Sequence, residues 1–200
     1  MSGCGCEIEI SRREERRVLW WLLVINAVMF VVEIVLGWIA DSTGLIADAL
    51  DMLADASVYG VAIYAVTRTV REKAWAAALS GVTELVLALG VLLEVVRRFA
   101  YGSEPVSGLM VAVSLLALVA NVACMVLLAK HRNGEVHMRA SWIFSANDVL
   151  ANVGVIIAGV LVYITGAAWP DLVIGLLIVG LVLRGGSMIL RDVRATLAAA

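Results

Sequence analysis

The chain has 200 residues, 62% of them hydrophobic and only 16% charged, with a mean hydropathy of +0.99. Soluble domains carry roughly 45–50% apolar residues, so a soluble globular protein is excluded. A formal net charge of −2 without a basic patch leaves no nucleic-acid partner, and three cysteines, Cys4, Cys6 and Cys124, suggest no disulfide framework.

Polar breaks divide the sequence into six apolar runs, at 18–40, 45–67, 74–101, 108–129, 138–165 and 170–190. Each is long enough to cross a hydrocarbon layer of ~30 Å at ~1.5 Å per residue, and each exceeds the ~9–11 residues of a barrel strand. The expectation is an all-α polytopic membrane protein, a six-transmembrane-helix bundle in which each helix satisfies its own backbone. Residues 1–17 then form a polar N-terminal segment, 18–190 the transmembrane domain and 191–200 a short tail.

The first run follows Arg12, Arg13, Arg16 and Arg17 and shows no cleavage pattern, so it is read as retained. Within it, Asn26 is read as a helix–helix hydrogen bonder, and Glu33 as either that or a ligand. The second run carries Asp48, Asp51 and Asp55, at about 0°, 300° and 340° around a helix, so the three carboxyls share one face. Such acids cost roughly 2.5–3.5 kcal/mol each at a membrane centre, which argues against incidental filler. The third run holds Glu84, ambiguous like Glu33, and ends in Arg97 and Arg98, for which Glu94 is the expected partner three and four residues earlier. The fourth contains Asn121 and Cys124. His131 and His137 follow in a basic loop read as solvated, as Cys4-Gly5-Cys6 is read as a terminal tail.

The fifth run carries Asp148, with Asn152 about 40° away on the same helix surface. D-V-L-A-N at 148–152 echoes D-M-L-A-D at 51–55. Asp55 and Asp148 each lie ~15 Å into their runs, from opposite membrane faces, so their levels coincide. Basic residues outside the third run gather at the N-terminus and around 68–73, 130–139 and 184–194, which by the positive-inside rule puts both termini in the cytoplasm. All six tryptophans fall near run ends, where interfacial aromatics belong.

No Lys or Arg lies inside the second or fifth run, so protons or metal cations remain as counter-charges for Asp51, Asp55 and Asp148, and the two exchange naturally at carboxylates. Asp48 is read as either a ligand or an orienting group. Two other readings stay open: a non-transporting scaffold subunit whose acids are protonated packing contacts, and a cation channel with an acidic lining.

S-T-G-L-I-A-D-A-L-D-M-L-A-D at 42–55 resembles the signature of cation diffusion facilitator transporters, and N-D-V-L-A-N-V-G-V-I-I-A-G-V-L-V-Y with W-P-D-L-V-I-G-L-L-I resembles that family's fifth and sixth helices. The resemblance implies a transporter rather than an enzyme: efflux of divalent metals such as zinc, driven by proton antiport, with no cofactor beyond the transported ion. Carried over, Asp51 and Asp55 match the second-helix metal pair and Asp148 the Asp of a fifth-helix H-x-x-x-D, whose His position is Phe144 here. Asn152 is taken as the fourth donor, with Asn147 and Ser145 behind it. A donor set of carboxylates and an amide is hard enough to admit manganese, cobalt or iron as well as zinc. The usual family member continues into a cytoplasmic ferredoxin-like domain, whereas this chain stops about ten residues after the sixth run. A homodimer would then rest on the transmembrane helices, and the expected location is a bacterial cytoplasmic membrane.

Overall fold

A computed structural model of the chain describes residues 4–65, 69–129 and 136–199, with side chains at all of these except 4–13, 15, 65, 70, 73, 136–144, 147 and 199. Cys4, Cys6, His131, His137, Trp142, Phe144 and Asn147 therefore lie outside the described side chains. Six helices follow one another: α1 (Cys4–Ile39), α2 (Thr43–Ala65), α3 (Val70–Tyr101), α4 (Ser107–Leu128), α5 (Val136–Thr165) and α6 (Trp169–Ala199). The expected all-α bundle is observed. Its helices differ from the apolar runs mainly at the two chain ends, where α1 begins at Cys4 and α6 continues to Ala199, because helix propensity carries on through polar residues after hydropathy has fallen.

The boundaries have local causes. Thr69 opens α3 with a capping box: its hydroxyl accepts from the Glu72 N–H at 3.3 Å, and its own N–H donates to Glu72 Oε2 at 3.0 Å. The helix closes on Gly102 at φ 85°, whose N–H donates to the Arg98 carbonyl at 2.8 Å. Pro170 sits in the first turn of α6, where a missing N–H costs nothing.

Five of the helices are long and apolar enough to cross a membrane, and they expose large apolar side chains such as Val31, Leu93, Phe99, Val119 and Ile164. The exception by composition is α2, with its three aspartates. It is also the hub, packing against each of the other five helices, with residues 42–50 all buried. The helix whose side chains would suffer most in lipid is thus the one most completely wrapped in protein.

The start of α2 gathers the ends of α1 and α3 and the starts of α4 and α6. Here Leu45, Ile46 and Leu50 join the main apolar core with Val91 and Val95 of α3, Val155 of α5 and Ile178 of α6. Toward the chain termini, Met29, Met52 and Ala117 form a second cluster, and Leu19, Leu22, Tyr59, Cys124 and Leu128 a third. Close approach depends on small residues, as expected where van der Waals packing drives association. A Cβ on Gly175 of α6 would stand 2.8 Å from Thr43 Cγ2 and 3.0 Å from the Thr43 carbonyl carbon and oxygen.

Candidate functional site

At the outset of α2 the chain is held by charge. Asp171, fully buried near the start of α6, accepts from the Ser42 hydroxyl at 2.6 Å, the Thr43 N–H at 2.6 Å and the Gly44 N–H at 2.9 Å. The two N–H groups are first-turn donors that a helix cannot satisfy internally, so one helix caps another. Beside them, buried Arg98 pairs with Glu94 at 2.7 Å and with Asp41 at 2.9 Å, and its guanidinium lies 5.9 Å from the centroid of the Trp38 ring. Asp41 adopts φ 48° in the α1–α2 turn and also accepts the Glu104 N–H at 2.9 Å. Arg97 pairs with Glu94 at 2.6 Å, so the expected i,i+3 and i,i+4 pairings both form.

With its start fixed, α2 sends its acids into the bundle. Asp48 and Asp55 are buried and Asp51 is partly so. Across the seam, buried Asp148 of α5 lies within side-chain hydrogen-bonding reach of both Asp51 and Asp55. The structure thus brings three of the sequence-predicted site residues together. Asn152, the fourth, is fully buried on the next turn of α5; its Nδ2 donates to the Asp148 carbonyl at 2.8 Å and its Oδ1 has no partner. Ser145, three residues before Asp148, is buried as well.

Tyr59, one turn beyond Asp55, donates its hydroxyl to Asp55 Oδ2 at 3.1 Å and orients that carboxyl. Sequence reading missed it, although its i,i+4 spacing was the available signal. Glu33 of α1 and Glu84 of α3 are also buried, the first within electrostatic reach of Asp48 and Asp51, the second of Asp51 and Asp55. Both Glu33 oxygens lack a partner. Acids from three helices, α1, α3 and α5, therefore converge on those of α2, and among the described residues none of them pairs with Lys or Arg. Also among the described residues, no three His, Cys, Asp or Glu side chains are gathered tightly enough to hold a metal ion as they stand.

A helical membrane bundle with uncompensated carboxyls at its hub falls in the class of membrane-embedded transport proteins rather than enzymes. The chain belongs to the cation efflux transmembrane domain family, whose model matches residues 19–198. It is 25% identical over 189 residues to a cadmium, cobalt and zinc/H(+)-K(+) antiporter of Bacillus velezensis, covering 86% of this chain and 60% of that protein. It is 29% identical over 191 residues to the zinc transporter ZitB of Escherichia coli, covering 88% and 60%. Over 168 residues it is 27% identical to the metal cation efflux system protein CzcD of Cupriavidus metallidurans, covering 78% and 53%. The chain spans about 60% of the length of the first of these relatives.

Proposed function

We propose that this chain moves a divalent transition-metal ion of the zinc class out of the cytoplasm, binding it midway through the bundle at Asp51, Asp55, Asp148 and the Asn152 carboxamide oxygen. The observation that carries the reading is the convergence of Asp148 with Asp51 and Asp55 across α2 and α5, with no Lys or Arg paired to them among the described residues. A dication would supply the balancing charge and draw the donors together around it. Protons take its place after release, because a metal must displace them to bind, and this makes the carrier a metal/proton antiporter. The names of the relatives, which include zinc, cadmium and cobalt transport and H+–K+ exchange, support the same substrate class.

In this reading residues 1–17 and 191–200 face the cytoplasm, the membrane is a bacterial inner membrane, and any pairing of two copies uses transmembrane helices. The deciding experiment reconstitutes the chain in liposomes and follows flux of zinc, cadmium, cobalt, manganese and iron with and without a pH gradient. Zinc-class flux that moves protons in the opposite direction supports the proposal; no flux of any of the five overturns it.

A second reading draws on the spacing of the described donors, which are not closed around one point. The acids would then be neutral groups bonding across a helix interface in a non-transporting subunit. Thermal stabilisation by zinc separates the two, since only a binding site gains stability with ligand concentration.

A further inference from the structure

One turn from Asp55 toward the chain termini, three buried polar side chains of α1 and α4 stand outside the carboxylate site. Cys124 of α4 is 1% exposed, as are Asn121, three residues before it on the same face, and Asn26 of α1. Asn26 donates from Nδ2 to the Leu22 carbonyl at 2.9 Å and to Cys124 Sγ at 3.8 Å. Those bonds occupy both amide hydrogens and fix the group, yet Asn26 Oδ1 has no partner, and neither Nδ2 nor Oδ1 of Asn121 has one. A buried polar atom left unsatisfied costs about 1–3 kcal/mol, so the two carboxamides beside this sulfur carry buried oxygens with acceptor capacity to spare.

These side chains neighbour the carboxylates. Cys124 packs in one cluster with Tyr59, whose hydroxyl donates to Asp55, and Cys124 itself lies within electrostatic reach of Asp55. An ion seated at the sulfur would have a carboxylate next along its path. A thiolate prefers zinc or cadmium to magnesium or manganese, because sulfur is a soft donor.

We propose that Cys124, Asn26 and Asn121 form a second binding site for soft divalent cations, through which the ion passes between the terminal side of the bundle and Asp55. The inference rests on the metal-transport reading and adds a residue that sets ion preference. One dication arrives, a sulfur–metal bond forms, and the Cys124 thiol proton leaves to water on the terminal side; no electron is transferred. The Asn26 and Asn121 Oδ1 atoms complete the donor set, and the Asn26 Nδ2 hydrogen bond steadies the sulfur.

The full chain carrying Cys4→Ser and Cys6→Ser retains Cys124 as its only thiol. Cadmium titrated into this protein in detergent should produce ultraviolet thiolate-to-cadmium absorption that saturates, whereas magnesium should produce none. Adding Cys124→Ser should remove that absorption and lower the ratio of cadmium to manganese flux about tenfold, the scale seen when a metal site loses a supporting group. No absorption from the single-thiol protein overturns the site, as does an unchanged flux ratio in the serine variant. The single-thiol spectrum decides the matter even if the serine variant does not fold. Zinc flux in parallel liposomes reports on the carboxylates independently: flux without absorption overturns only the thiol site, while absorption without flux upholds it and overturns the transport reading.

Discussion

Asp171 accepts the Thr43 N–H at 2.6 Å across 128 residues of sequence, so a carboxylate on α6 sets where α2 begins. Because Asp48, Asp51 and Asp55 take their register from that start, this bond governs the position of the candidate site. Asp171→Ala should lower stability by about 2 kcal/mol, as expected when a cap is removed and buried donors are left unmatched. Thermal unfolding of the detergent-solubilised protein measures this, and a change within about 0.5 kcal/mol, the range of a neutral surface substitution, would show that the bonds are replaceable.

Asp51→Asn and Asp148→Asn each remove one charge while keeping the side-chain shape. Each should abolish metal flux in reconstituted liposomes, with helicity and membrane insertion unaltered. Unimpaired transport in either variant excludes that residue as a ligand.

Tyr59→Phe removes only the hydroxyl that orients Asp55. Metal affinity should weaken about tenfold, the lower end of what groups behind metal ligands contribute, with maximal flux at saturating metal retained. Calorimetry against zinc, together with flux at two concentrations, checks both parts; equal affinity would make the tyrosine a packing residue.

Under the proposed function metal and protons compete for the same carboxyl oxygens, so apparent affinity should fall as pH falls, and binding in weak buffer should release protons. The sign follows from mass action: acidification fills the site with protons and opposes the dication. Zinc titrations at several pH values, with the released protons counted by an indicator, give the stoichiometry. Affinity independent of pH together with no release would contradict exchange at these acids.

Arg98 and Arg97 are neighbours in sequence and opposites in environment. Arg98→Ala leaves Glu94 and Asp41 without their buried partner and should cost about 3 kcal/mol. Arg97→Ala removes an exposed pair and should change unfolding little. Equal effects of the two would remove the structural distinction between them.

Hydropathy made the six helices legible, since each run needed only its own residues to declare itself. The clustering of Asp51, Asp55 and Asp148 was legible too, because a 3.6-residue period and a matched depth place side chains without any knowledge of neighbours. Asp171 was not legible in this role. W-P-D marks a helix start, but nothing local tells that its carboxylate serves α2 rather than α6. The same holds for α2 as hub: its composition declares that it needs shelter, while which helices supply it is a matter of long-range packing.

The close approach of Gly175 to Thr43, closed over by the three bonds to Asp171, pins the start of α2 to α6. The two helices cannot part there without exposing a buried carboxylate. In a carrier of the proposed kind, a small swing about that pinned end would move the aspartates further along α2 through a larger distance.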